Sequence, residues 1–408
     1  MIASLIIYFI FIFYVGNLMI KVSSNSFFNA QPSKLFTQDV AAQAQSFHQK
    51  IEGYTPTPLT SLPALAKSIG LKDIFVKDES YRFGLNAFKV LGGSYALAQL
   101  LAVKLNMSIS DIDLKTVASK FDLPMVFTTA TAGNHGTGVA WAAREMGQKA
   151  VVYMPKGSAQ TSVERIRALG AECIVTDVNY DDTVRIANQT AQENNWELVQ
   201  DTAWDGYQQI PTWISQGYMT MAAEALTQLD GIKPTHLLLQ AGVGAMAGGV
   251  LGYYADVLGA DNITSVIVEP ENIACIYLSG TSTDGEIKNV SGELKSIMAG
   301  LACGEPNPVT WPILKNCSNY FVSVGDNVTA TGMRVLANPL SGDQAIISGE
   351  SGAITLGLLY ALAQSETGKA QAKELGLNKE SVVLIFSTEG DVNPASYQNI
   401  IWNGKYPL

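Results

Sequence analysis

Histidine and cysteine are scarce in this 408-residue chain, and their scarcity removes several kinds of chemistry. The three histidines, His48, His135 and His236, form no H-E-x-x-H pair, so metal-dependent hydrolysis is not expected and no metal site is assigned. Cys173, Cys275, Cys303 and Cys317 show no C-x-x-C spacing, which fits neither a zinc ribbon nor a disulfide scaffold. Cys275 and Cys303 can still meet in the fold, with buried free thiols as the plainer reading. No G-x-S-x-G run is present, so an α/β-hydrolase triad lacks its elbow. Charged residues make up only 15% of the chain, the formal net charge is -10, and no Lys/Arg cluster occurs. Nucleic acid and anionic membrane surfaces are therefore not expected partners. Internal repeats, low-complexity blocks and obvious linkers are absent too.

What is abundant is apolar residues, at 47%, and glycine, at 36 residues. That composition suits a large buried core with many tight βα turns. Residues 2–20 (IASLIIYFIFIFYVGNLMI) carry no charge and are long enough to span a bilayer. They lack the basic start and small-residue cleavage site of a secretion signal. A membrane anchor, an atypical signal and an upstream extension of the reading frame compete. Met19, opening MIKVSSNSFFNAQ, favours the extension. From about residue 55, short β-branched runs alternate with helical stretches. The strands expected include Asp73 to Lys77, Pro124 to Thr128, Ala150 to Met154, Glu172 to Thr176, His236 to Gln240, Ser265 to Glu269 and Val382 to Ser387. Helices are expected over Gly138 to Met146, Gln160 to Ala168 and Trp213 to Thr227. Continuous apolar strands joined by helices predict an α/β fold with parallel sheets flanked by helices.

Five runs carry chemistry. In SYRFGLNAFKVLGG (Ser80 to Gly93), Lys89 sits among small and apolar neighbours, where lost hydration favours the neutral amine that attacks an aldehyde. A lysine snorkelling from a helix reads the same in this run alone. In QAGVGAMAGG (Gln240 to Gly249), an apolar strand runs into a small-residue helix. Gly242, Gly244, Gly248 and Gly249 let backbone N–H groups approach an anion closely, making a phosphate cradle at a helix start. The run is neither a P-loop nor G-x-G-x-x-G, and helix–sheet packing can also demand glycine.

The third run is TATAGNHGTGVAWAA, again between a strand and a helix. Asn134 offers an amide to a ring hydroxyl, and Thr129, Thr131 and the N–H groups from Gly133 to Gly136 can grip a carboxylate. His135 reads more simply as a packed histidine. The fourth, VVLIFSTEGD, ends a strand at Ser387 and Thr388, whose neutral hydroxyls suit a pyridine nitrogen. In VQDTAWDGY, Asp201 and Asp205 are either site residues or solvated turn residues.

A Schiff-base lysine, a phosphate cup, an asparagine for a phenolic oxygen and a hydroxyl for a ring nitrogen together describe pyridoxal 5'-phosphate. With these runs the chain resembles the tryptophan-synthase-β superfamily, fold type II, of pyridoxal-phosphate enzymes. Within it, YTPTPL, YMPKGSAQ, QDTAW-GY-IPTWI-QGY, IMAGLACGEPNP, IISGESGA and STEGD resemble the diaminopropionate ammonia-lyase family, from roughly Ser26 to about Lys405.

The resemblance implies a two-lobed fold, with a large cofactor domain over 22–90 and 221–408, a small substrate-side domain over 91–220, and 1–21 outside both. It implies a cytoplasmic homodimer, membrane-bound only if residues 1–20 are a real anchor. Lys89 becomes the Schiff-base lysine, Gly242 to Met246 with Gly248 the phosphate cup, Asn134 the partner of the cofactor's O3', and Asp201 an active-site carboxylate. Thr129, Thr131, Ala132, Gly133 and His135 would face a small amino-acid substrate. The implied reaction is α,β-elimination of 2,3-diaminopropionate to pyruvate and two ammonia. One departure stands out: where this family has aspartate before GNHG, the chain has Ala132. A methyl group accepts no proton, so the L-isomer is favoured. The run T-A-G-N-H-G also resembles serine and threonine dehydratases, an alternative beside a catalytically impaired cofactor-binding homologue.

Overall fold

The computed structural model describes residues 20–408, so residues 1–19, with almost all of the apolar stretch, lie outside it. Eleven strands follow in order: β1 Ile20–Ser24, β2 Leu59–Ser61, β3 Asp73–Asp78, β4 Val126–Ala130, β5 Lys149–Met154, β6 Glu172–Val175, β7 Glu197–Leu198, β8 His236–Gln240, β9 Thr264–Pro270, β10 Tyr320–Val324 and β11 Val382–Ser387. They form two sheets. The larger runs β1-β10-β9-β8-β11-β3-β2 and the smaller runs β6-β5-β4-β7. The five central strands of the larger sheet are mutually parallel, and the smaller sheet is parallel throughout. Antiparallel β1 and β2 close the two edges of the larger sheet. The fold is the α/β arrangement of parallel sheets flanked by helices that the alternation of apolar runs predicted.

All strands of the smaller sheet come from residues within 91–220. Ile20 and Lys21, placed by the sequence in the segment outside the fold, instead pair with Val324 and Ser323 as the start of β1. Their backbone groups complete the exposed rim of β10. The three expected helices are present, as Asn134–Glu145, Gln160–Ala168 and Gln209–Gln228. The first starts four residues earlier than its apolar spacing suggested, because Gly133 ends the preceding loop and Asn134 is already helical.

Among the described residues no helix is long and apolar enough to cross a membrane. All four cysteines are free thiols, and Cys275 Sγ lies 3.5 Å from the carbonyl oxygen of Cys303. Beneath the loop leading to Lys89, a buried ionic cluster joins β3 to the helix Gln209–Gln228. Arg82 reaches both Glu79 and Glu224, and Lys77 Nζ lies 2.7 Å from Glu224 Oε2. Tyr54 and Thr57 add their hydroxyls to the two carboxylates, so each buried charge meets both an opposite charge and a hydrogen bond.

Candidate active site

Lys89 stands immediately before the helix Val90–Leu105. The two glycines that follow explain how deeply it is held. A Cβ on Gly92 would lie 2.5 Å from Tyr218 Cε1, and one on Gly93 would lie 3.2 Å from the carbonyl carbon of Gly138. Only glycine lets this helix press against both Gln209–Gln228 and Asn134–Glu145. The Lys89 ammonium ends over the Phe88 and Tyr218 rings, 5.6 and 5.8 Å from their centroids. It donates to Asp201 Oδ2 at 2.6 Å, with the two side chains 16% and 9% exposed.

That pairing corrects one expectation. Burial does push the Lys89 amine toward neutrality, as argued from its neighbours. The Asp201 carboxylate overrides burial and holds the lysine protonated, above its ordinary range. Asp201 responds in kind. Burial raises its pKa, but the charge and hydrogen bond of Lys89 outweigh burial and bring it down to about 2. The carboxylate lies 112 residues away, so a window around Lys89 could not reveal it.

Asp201 is tied to the glycine loop by Asn307. Its side-chain amide donates to the Asp201 carbonyl at 3.3 Å, while its backbone N–H donates to the Val243 carbonyl at 2.7 Å. In that loop the glycines serve packing first. A Cβ on Gly242 would meet Leu301 Cα at 3.0 Å, and one on Gly248 would meet Thr310 Cβ at 2.4 Å. Gly244 adopts φ +92°, a left-handed turn natural to glycine, and starts the helix Ala245–Tyr254 with no side-chain cap. The backbone N–H groups of Gly242, Val243, Gly244, Ala245 and Met246 consequently have no acceptor among the described residues. Consecutive unpartnered donors at a helix start fit a phosphate ester, and these residues therefore suit the phosphate of pyridoxal 5'-phosphate.

The end of β11 meets the same place. Gln240 Nε2 donates to Thr388 Oγ1 at 3.0 Å, and the Thr388 carbonyl accepts the Phe88 N–H at 3.1 Å. Thr388 thus links the glycine loop to the lysine loop. Ser387 is fully buried and donates to Ser348 Oγ at 2.8 Å.

The loop from Thr129 to His135 closes the site. Thr129 Oγ1 and the Ala130 N–H both donate to Gln200 Oε1, at 3.1 and 2.9 Å. Thr131 Oγ1 already accepts the Gly133 N–H at 2.9 Å, so Gly133 is not among the free donors expected there. The N–H groups of Asn134, His135 and Gly136 remain free at the helix start. Ala132 is exposed at the tip. His135 is buried, with Nε2 2.8 Å from the Val199 carbonyl and Nδ1 4.0 Å from Asp201 Oδ2. Burial lowers its pKa, so the ring is neutral. The Val199 carbonyl requires a proton on Nε2, leaving a bare Nδ1 that has no partner of its own.

Asn134 donates from Nδ2 to Glu389 Oε2 at 2.5 Å and accepts Arg165 Nη2 on Oδ1 at 2.9 Å. Glu389, Arg165, Asn307, Gln200 and Tyr218 were not singled out from the sequence. Glu389 and Asn307 do fall inside STEGD and GEPNP, but their partners Asn134 and Asp201 are far away in sequence. Asp205 has no such contact with this cluster.

The family model described as pyridoxal-phosphate dependent enzyme matches residues 51–387. A diaminopropionate ammonia-lyase of Escherichia coli (strain K12) is 56% identical over 396 residues, covering 97% of this chain and 99% of that protein. A crystal structure of the Escherichia coli enzyme in complex with D-serine superposes with a TM-score of 0.92 at 55% identity, covering 95% of this chain and 98% of that one. Another, in complex with an aminoacrylate-PLP azomethine reaction intermediate, gives 0.90 at 55% identity, covering 96% and 98%. With the lysine, glycine loop and Asn134 loop brought to one place, the chain belongs to the pyridoxal-phosphate-dependent enzymes of fold type II, and within them to the diaminopropionate ammonia-lyases.

Proposed function

We propose that the protein eliminates ammonia from 2,3-diaminopropionate, forming pyruvate and two ammonia, and that it prefers the L-isomer. The observation that carries this reading is the Lys89–Asp201 pair at 2.6 Å, beside the unpartnered donors of Gly242 to Met246. Pyridoxal 5'-phosphate, when bound, supplies an aldehyde for amine exchange and a ring that accepts the α-carbon's electrons.

The chain's own residues supply the rest. Gly242 to Met246 would hold the phosphate, while Gly248, expected in the same cup, lies inside the helix they open with its N–H already donated to the Gly244 carbonyl and serves packing against Thr310. Asn134 would meet the O3' oxygen, and Thr388 or Ser387 would offer a neutral hydroxyl to the ring nitrogen. Lys89, once free of the cofactor, takes the α-proton on the L-face. Asp201 holds that proton on Lys89 Nζ or passes it to the departing β-nitrogen, which must leave protonated. Thr129, Thr131, Ala132, Gly133 and His135 border the substrate. Ala132 carries only a methyl group where a D-specific base would stand, which removes a proton acceptor from the other face. The reading includes a homodimer working in the cytoplasm.

Ala132 also favours a second reading, an L-serine or L-threonine dehydratase. The experiment is pyruvate or ketobutyrate release by purified protein given L- or D-diaminopropionate, L-serine or L-threonine. The proposal expects the L-diamino acid to lead. Dominant turnover of L-serine or L-threonine would replace it with the second reading, and no turnover at all would point to an impaired homologue.

A further inference from the structure

Arg165 is a cation without a counter-ion. It stands on the helix Gln160–Ala168 and uses one of its guanidinium donors, Nη2, on Asn134 Oδ1. Its Nε is enclosed and has no acceptor. The other arginines meet carboxylates or backbone carbonyls: Arg82 with Glu79 and Glu224, Arg144 with Glu145, Arg185 with Asp182, Arg167 with Cys173, and Arg334 with Ile400, Lys405 and Tyr406. Arg165 alone, among the described residues, meets neither. The carboxylate that acts on it from nearby, Glu389, is itself engaged by Asn134 Nδ2 and the Ser351 N–H.

The surroundings point to what would complete it. A Cβ on Gly133 would lie 3.7 Å from Arg165 Nη2 and 3.3 Å from Ser162 Oγ, so the bare glycine keeps the guanidinium open to the loop. The helix whose first residue Arg165 engages carries the free N–H groups of Asn134, His135 and Gly136. No other lysine or arginine side chain hydrogen-bonds to the segment Thr129 to His135 among the described residues. A planar cation hydrogen-bonded to the first residue of this helix, with free amides at the same helix start, matches a carboxylate, which it can bind through two parallel hydrogen bonds.

We propose that Arg165 is the charged half of the substrate-carboxylate site and makes the enzyme select α-amino acids over simple amines. The inference deepens the proposed function and rests on it for where the substrate lies, but not for which β-substituent leaves. Recognition of the carboxylate falls to Arg165 and the helix-start amides together, leaving Lys89 and Asp201 for proton movement.

The test uses the holoenzyme and a ligand pair that cannot undergo elimination. L-Alanine and ethylamine differ by the carboxylate, and their dissociation constants are read from the shift in cofactor absorption. Arg165→Gln keeps a donor for Asn134 but removes the charge. It is expected to weaken L-alanine by about 10- to 100-fold, the loss typical of a charge-assisted pair, while ethylamine changes by less than about twofold. Arg165→Lys should recover part of the L-alanine affinity, and the loss in L-diaminopropionate turnover should fall on KM more than on kcat. An equal weakening of both ligands would mean that Arg165 only buttresses Asn134, and unchanged L-alanine binding would likewise overturn the proposal. Wild-type protein that releases no pyruvate from diaminopropionate, yet keeps the alanine–ethylamine contrast, would count against the assigned reaction and leave Arg165 in place.

Discussion

Replacing Asp201 with asparagine isolates the pair at the centre of the site, because the substitution removes one charge and hardly any volume. In the folded chain Lys89 holds Asp201 at a pKa of about 2 against an ordinary 3.8, which corresponds to about 2 to 3 kcal/mol of stabilisation at neutral pH. The depressed carboxyl contributes above pH 4 and loses its contribution as pH falls toward 2. The raised Lys89 amine contributes below its ordinary pKa and loses its contribution only as pH rises past that value. The pair's support is therefore flat from about pH 4 to about pH 10. In Asp201→Asn the lysine keeps its burial and loses its anion, so its pKa drops below the ordinary lysine value. In cofactor-free protein, the rate at which an amine-reactive reagent labels Lys89, followed by peptide mass mapping across pH 6 to 10, reads this directly. At pH 8 the variant should label at least ~10-fold faster than wild type, the change expected of a pKa lowered by one unit or more. Slower or unchanged labelling at Lys89 in the variant would refute the claim that Asp201 holds the amine protonated.

Other perturbations follow from the same geometry. Lys89→Ala should leave the protein folded by circular dichroism yet unable to form a borohydride-trappable link to the cofactor, and should release no pyruvate. Gly248→Ala places a methyl group 2.4 Å from Thr310 Cβ. It should lower the melting temperature by the equivalent of about 1–3 kcal/mol and weaken pyridoxal-phosphate binding in equilibrium dialysis. Ala132→Asp should raise D-diaminopropionate turnover by about 10²- to 10⁴-fold, measured as pyruvate release, with the L-isomer little changed. Glu224→Gln takes the ion-pair partner from buried Lys77, leaves Arg82 with Glu79 alone, and should cost about 3–5 kcal/mol in urea unfolding at pH 7. Because Glu224 has a pKa of about 2 where 4.5 is ordinary, the gap between variant and wild type should narrow as the pH falls below 4 toward 2.

Much of the scaffold was legible because periodicity is local. Apolar runs such as HLLLQ and VVLIFS became strands at the same residues, and the glycine-rich turn after β8 opens a helix as its composition required. The short strands β2 and β7 were not recognised, since three residues at 59–61 and two at 197–198 carry too little pattern to distinguish from loop. In the site, the individual motifs were visible but their pairings were not. Lys89 looked prone to neutrality because its anion is supplied by a distant loop. Asn134 offers an amide to a ring oxygen in its own run, and that amide also joins Glu389, 255 residues away, to Arg165. Hydrogen-bond partners separated by such distances are set by how the two sheets come together, and no window of sequence contains them.

The first strand of the larger sheet has a practical bearing on how the chain can be shortened. Ile20 to Ser24 cover the outer rim of β10 residue for residue. Trimming that stops before Ile20 keeps this covering, whereas trimming a few residues further uncovers a row of amide and carbonyl groups suited to joining a neighbouring molecule. A truncated protein that clumps would then report a stripped sheet edge, with its catalytic chemistry untouched.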